Sequence, residues 1–246
     1  MRLLFIFLLM ACAPSIFGSG AFAQTQSATG SPASSTGSAS GSATSANDAP
    51  GEQTVDGIAA RIEDDIITDS EVRELGAFQE LVDGKPKPRY EVIKELADQW
   101  IVRGEAALAA FPEPSKEDVD RAYQELVKQF PSPQEFHEKC AALGLTEAAV
   151  RRILKQQLFL SRFIDYRFRP AAQVDQAQIE AYYHNEFAPQ LEAKHQAVPP
   201  IEEVEDTIRE VLTLRAISDR ATKWLDETRE HLKIDIESPH PQGAGS

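Results

Sequence analysis

The chain has 246 residues, with 39 Asp and Glu against 25 Lys and Arg and a formal net charge of −14 at pH 7. That acidic balance argues against nucleic acid or an anionic membrane face as partner, since both repel a negative surface. Of the 2 cysteines, Cys12 falls in an N-terminal apolar run and Cys140 stands alone in the body, so a fold here rests on its hydrophobic core rather than on an internal disulfide.

Residues 1–23 carry Arg2, an apolar run from Leu3 to Met10 and the small-x-small triplet Ala21-Phe22-Ala23, the pattern of a secretory signal cleaved after Ala23. The run is too short to span a bilayer. Leu9-Met10-Ala11-Cys12 gives a rival reading, because it resembles a bacterial lipobox with Cys12 as the lipidated residue and the lipid as the sole membrane attachment. Both readings export the chain. Residues 24–53 are Ser, Thr, Gly and Ala with almost no large apolar side chain, a tract that cannot bury enough surface to offset its ordering entropy. It reads as a disordered linker, and residues 237–246 read as a disordered tail.

The folded part is expected over residues 54–236, which suffices for one domain with its own core. "VDGIAARI" alternates, with Ile58, Ala60 and Ile62 on one side, Glu63-Asp64-Asp65 as a turn and Ile66-Ile67 as a short return strand. Thr68 and Glu71 form a capping box that opens a helix to about residue 82, ended by Asp83-Gly84 and the prolines beyond. A second helix, about 89–111, carries Ile93, Leu96, Ala97, Trp100, Ile101, Leu108 and Phe111 at helical spacing. Ser115 and Asp118 cap a third with Val119, Ala122, Tyr123, Leu126, Val127 and Phe130. Ser132-Pro133 opens a fourth, with Phe136, Cys140 and Leu143 on its buried face and Gly144 past its end.

Thr146 caps a fifth helix, about 147–168, whose second half "LFLSRFIDYRF" is apolar on more than one face; such a helix is enclosed by neighbours or covers another chain. Asp175 and Gln178 cap a sixth, "QAQIEAYYHNEF". Pro199-Pro200 precedes a seventh, about 201–232, striped by Val204, Ile208, Val211, Leu212, Ile217, Ala221, Trp224, Leu225 and Leu232. Leu232-Lys233-Ile234-Asp235-Ile236 then alternates like a strand. A lone strand leaves its backbone groups unpaired, and the only other strand material is the hairpin near the start, so the simplest sheet joins the two ends of the domain. The fold class expected is mainly α with this small sheet.

None of the five histidines, His137, His184, His195, His231 and His240, forms H-E-x-x-H, and no Cys/His cluster has zinc spacing. His137 and Cys140 stand three apart, which reads as a surface histidine beside a core cysteine. Nucleotide, dinucleotide and nucleophile-elbow motifs are missing outside the leader, so no cofactor is expected. The acidic runs Glu63-Asp64-Asp65 and Glu202-Glu203-Val204-Glu205-Asp206 lack calcium-loop spacing and read as a solvated turn and a helix N-terminus. The aromatic group Phe159, Phe163, Tyr166, Phe168, Tyr182, Tyr183 and Phe187 surrounds one helix junction; it is either ordinary helix-helix core or a partly exposed surface for apolar segments of another chain.

The stretch "VDGIAARIEDDIITDSEVREL" resembles the start of SurA-type periplasmic chaperones and related parvulin-type prolyl isomerases, where a strand, a turn and an Ile-Thr-x-Ser-Glu helix start recur. "KEDVDRAYQEL", "LGLTEAAVRRILKQQLFLSRFI", "VDQAQIEAYYHNEF" and "ATKWLDETREHLKIDI" look similar in the same order, so the likeness spans most of residues 54–236. In that family the N- and C-terminal segments fold together around an inserted isomerase domain. Here "LEAKHQAV" leads almost directly to "PPIEEVEDTIREVL", and the bridge near 188–199 is far too short for a domain. The resemblance therefore implies a SurA N-terminal-like chaperone domain lacking the isomerase, exported to the periplasm. It implies binding of unfolded or nascent outer-membrane or secreted proteins without catalysis. The client surface expected is Phe159, Phe163, Tyr166, Tyr182, Tyr183 and Phe187. Two other classes stay open, a prolyl isomerase with an unrecognised site and an envelope adaptor with one dedicated partner, as does an oligomer that closes the gap left by the missing domain.

Overall fold

β-branched Ile58 and Ile62 flanking two small alanines, followed by an acidic turn, build a tight hairpin in the computed structural model, which describes residues 56–237. The leader with Cys12, the linker of residues 24–53 and the last nine residues lie outside the described residues. Strand β1 (Ile58–Ile62) and strand β2 (Asp65–Thr68) run antiparallel with Ile62 opposite Asp65 and Ala60 opposite Ile67. Glu63 takes a left-handed φ of 49°, as the two-residue connection between twisted strands requires. The register shifts between Ile58 and Ala60, a bulge that turns both Ala59 and Ala60 inward, so the strict alternation read from the sequence fails at that point.

The chain's end supplies the third strand. β3 (Ile234–Ile236) lies antiparallel to β1, giving the order β2-β1-β3, with Ala60 opposite Ile236 and Ile62 opposite Ile234. Two further backbone bonds extend the seam: Glu63 N donates to Lys233 O at 3.0 Å, and Glu237 N to Ala59 O at 3.0 Å. The strand starts two residues later than expected because His231 and Leu232 turn the chain out of the last helix and Lys233 joins the backbone seam only through its carbonyl.

The capping box at Thr68 forms as expected and opens α1 (Asp69–Asp83), which Gly84 closes at φ 71°. Helix α2 (Arg89–Leu108) ends three residues before the expected limit. Ala110 adopts φ 48°, and Phe111 N donates back to Ala106 O at 2.9 Å, the six-to-one bond of a Schellman cap. Phe111 is thus the apolar plug of the cap, not the last residue of the helical stripe. The buried face of α2 is Val92, Ile93, Ala97, Gln99, Ile101, Val102 and Ala106, while Leu108 points to solvent.

Helices α3 (Lys116–Val127), α4 (Pro133–Ala142) and α5 (Glu147–Phe168) start at the side-chain caps Ser115, Ser132 and Thr146. Phe136 of α4 meets Tyr123 and Phe130 edge-on at 5.6 and 5.1 Å. Helix α5 is the hub: it packs on α1, α2, α3 and the last helix, and this enclosure explains why its apolar residues cover more than one face. The sheet's inner face lies on α1 and α2.

After a 3-10 turn (Arg169–Ala171), α6 (Gln176–Tyr182) runs into a π turn (Tyr183–Phe187) and then α7 (Ala188–Ala193). Ala188 N bonds to Tyr183 O, five residues back. Pro189, next in line, has no N–H to give to the preceding turn, and the wider π turn accommodates it. Residues 194–200 lead directly to α8 (Ile201–Glu230), 30 residues and about 45 Å long. Near its end, Arg229 Nε bonds the mostly buried Asp98 of α2 at 2.6 Å, pinning α8 where the chain turns back to β3.

Candidate functional site

The aromatic residues singled out in the sequence fall into two groups. In the first, Phe111 folds back from its cap and meets Phe159, Phe163 and Tyr166 of α5 at 5.7, 5.4 and 5.4 Å between ring centres. Phe159 and Phe163 are 8% and 1% exposed. They are core, and the expectation that they offer a client surface is corrected accordingly: the cap of α2 places Phe111 over them. Tyr166, at the rim of the same cluster, is 62% exposed, and Leu108, one turn before Phe111, is 86% exposed. Glu105, one turn before Leu108, bonds Arg167 at 3.0 Å, which sets the exposed ends of α2 and α5 side by side. Arg167 in turn covers the Trp224 ring at 4.7 Å, and Trp224 lies 5.7 Å from Phe168. Leu108, Phe111, Tyr166 and Trp224 therefore ring the outer end of the α2–α5 crossing.

The second group belongs to the α6–π–α7 arm. Tyr182, Tyr183 and Phe187 are half-buried. Tyr183 stacks on Phe187 at 6.0 Å, and its hydroxyl donates to Pro199 O at 2.9 Å. Arg215 of α8 lies 4.7 Å over the Tyr182 ring and bonds the Glu186 carboxylate at 2.9 and 3.0 Å. Tyr182, Tyr183 and Phe187 thus have polar or stacking partners and stay half-buried rather than entering the core. No ring contact among the described residues joins the two groups.

Leu108 and Phe111 went unrecognised as surface and cap because both match the helical stripe of α2. The sequence signal that separates them is Pro112, which restricts Phe111 and breaks the stripe. Leu108 carries no such signal.

The titratable groups with displaced values have structural causes. Hydrogen bonds from Arg162 and from the Ser115 cap hold the Asp118 carboxyl well below the usual carboxylate range. Burial pushes the Asp98 carboxyl up, opposed by Arg229 beside it. Burial also pushes the Cys140 thiol up, opposite to the shift that activates a cysteine. Among the described residues no group of three or more His, Cys, Asp or Glu is placed to hold a metal ion. What the surface offers is contact: exposed aliphatic and aromatic faces set among ion pairs. No protein-family model matches the chain, and no curated protein matches it.

Proposed function

We propose that this chain is a passive carrier of unfolded or nascent envelope proteins, exported to the periplasm and built like the N-terminal domain of SurA-type chaperones without the inserted isomerase. The observation that carries the reading is the placement of β3 beside β1, with only residues 194–200 between α7 and α8. This is the arrangement the resemblance in the terminal segments implies for a domain that has lost its insertion. The exposed Leu108 and Tyr166, and the half-buried Tyr182, Tyr183 and Phe187 on the arm, are the contact residues. Each aromatic contact contributes about 0.5–1.5 kcal/mol beyond its buried area, so several weak contacts hold a client segment and release it without fuel. The acidic surface keeps the carrier soluble.

Light scattering of a denatured outer-membrane protein diluted from urea tests this reading. Substoichiometric to equimolar carrier is expected to slow the rise in scattering. No suppression at several-fold excess counts against it. A proline-peptide isomerisation assay gives the parallel test of catalysis, with the expected rate equal to the uncatalysed one.

A further inference from the structure

Helices α1, α2 and α5 do not close completely on one another. Between them lies a cleft of about 210 Å³, to which each helix presents one patch at helical spacing: Glu71, Glu74 and Leu75 from α1; Leu96, Gln99 and Arg103 from α2; Arg152, Ile153 and Gln156 from α5. The volume is below that of a drug-sized pocket and suits a single residue.

Its polar groups are unevenly used. Glu71 is committed to the cap, accepting from Thr68 N at 2.8 Å and from the Thr68 hydroxyl. Glu74 pairs with Arg152. Gln99 is 94% buried by its 6% exposure, and its carbonyl Oε1 accepts from Gln156 Nε2 at 2.7 Å. The Gln99 amide nitrogen donates to no group among the described residues, and Arg103 forms no ion pair or hydrogen bond with any of them. A Gln99 amide nitrogen with no acceptor among the described residues and the exposed, uncommitted Arg103 guanidinium thus border one cleft that Leu75, Leu96 and Ile153 also line. Donors beside an apolar lining, in a space one residue wide, select a carboxylate attached directly to an apolar side chain. An internal Asp or Glu lacks that combination, because its carboxylate is the end of its side chain. The C-terminal residue of a peptide has it.

We propose that this cleft binds the C-terminal residue of a peptide, with the free carboxylate on Arg103 and the Gln99 amide and an apolar side chain against Leu75, Leu96 and Ile153. The cleft is separate from the aromatic contact residues, so the proposal does not depend on the carrier reading.

Fluorescence anisotropy with a labelled hexapeptide ending in leucine tests it, comparing the free acid, the C-terminal amide and an amidated peptide with one internal glutamate. The free acid is expected to bind about tenfold or more tightly than either control, as loss of a charge-assisted hydrogen bond dictates. Arg103→Ala, at an exposed position, is expected to remove that preference with an unchanged unfolding midpoint, and Gln99→Met to reduce it. Tyr166→Ser is expected to leave it intact. Equal affinity for acid and amide, equal affinity for the internal-glutamate peptide, or no saturable binding up to about millimolar peptide overturns the proposal while leaving the scattering experiment to judge the carrier reading separately.

Discussion

The sheet with α1–α5 and the α6–π–α7 arm on α8 are held by different forces. In the first, fully buried side chains come from every helix and include Phe78, Phe136, Phe163, Ile93, Leu126 and Leu154. In the second, over residues 172–230, the buried apolar side chains are Ala172, Ile179, Ile208, Leu214, Ile217, Ala221 and Leu225, and of these α6, the π turn and α7 contribute Ile179 alone. The arm makes up the difference with polar ties: Arg215 to Glu186, the Tyr183 hydroxyl to Pro199, and Arg169 bidentate to Glu210 at 2.9 and 3.1 Å. Exposed ion pairs are worth about 0–1 kcal/mol each, whereas one buried Phe is worth several. The arm is therefore the part expected to open first.

The largest effect that separates the two regions is a core truncation. Phe163→Ala should cost about 3–5 kcal/mol in urea unfolding, since the ring is enclosed by Phe111 and α5's neighbours. Tyr166→Ser, one turn on, should change the midpoint little. Equal costs would place Tyr166 in the core and erase the boundary drawn through that cluster.

Next in size is Ile179→Ala. Ile179 is fully buried where α6 meets α8, and its truncation should cost about 2–4 kcal/mol. Hydrogen exchange should show the loss concentrated in residues 176–193, with α5 amides keeping their protection. Uniform loss across both regions would mean that arm and core unfold as one unit.

Acid should act on the two regions with opposite signs. The Arg169 hydrogen bonds hold the Glu210 carboxyl below its ordinary value of 4.5. A depressed folded value stabilises above 4.5 and loses that contribution as pH falls through the lowered value, so the arm should loosen in acid by under about 1 kcal/mol, given its exposure. Asp98, on the α2–α8 seam, is raised above 3.8 by burial. Its contribution is fully present below 3.8 and is lost as pH rises through the raised value. Exchange measured across the acid range should therefore show the arm losing protection as pH falls while the seam does not. Glu210→Gln should abolish the arm's response.

The smallest expected effect is a gain. Ala110 pays for its left-handed φ of 48° at the cap of α2. Ala110→Gly relieves that strain, partly offset by the greater freedom of the unfolded chain, and should stabilise by about 0.5–1 kcal/mol. A loss would mean that the Schellman cap, and the route by which Phe111 reaches α5, is wrongly assigned.

Much of this architecture could be read in advance where a short local pattern has one physical solution. The capping side chains at Thr68, Ser115, Ser132, Thr146 and Asp175 mark helix starts because each satisfies an orphan N–H. The pairing of the last strand with the first hairpin followed from the need to satisfy a lone strand. The features that escaped depend on tertiary context. The bulge at Ala59 breaks a two-residue period that looks regular in one dimension. Ala110 is a poor left-handed residue, so nothing local announces the turn that sends Phe111 inward and leaves Leu108 outside. Gln99 and Gln156 fit polar positions of their helices and become a partly buried pair only when α2 meets α5. The aromatic group shared a neighbourhood in the sequence, yet Phe159 and Phe163 are buried under Phe111, Tyr166 is exposed, and Tyr182, Tyr183 and Phe187 lie half-buried on the arm.

On the proposed function, the exposed rim at the α2–α5 crossing captures unfolded segments independently of the core beneath it. Scattering of a denatured outer-membrane protein, measured with the intact chain and with the Leu108→Ser/Tyr166→Ser double variant at matched concentration, addresses it most directly. The account predicts clear suppression by the intact chain, weaker suppression by the variant, and the same urea midpoint for both. Undiminished suppression by the stably folded variant, or none from either protein, would contradict it.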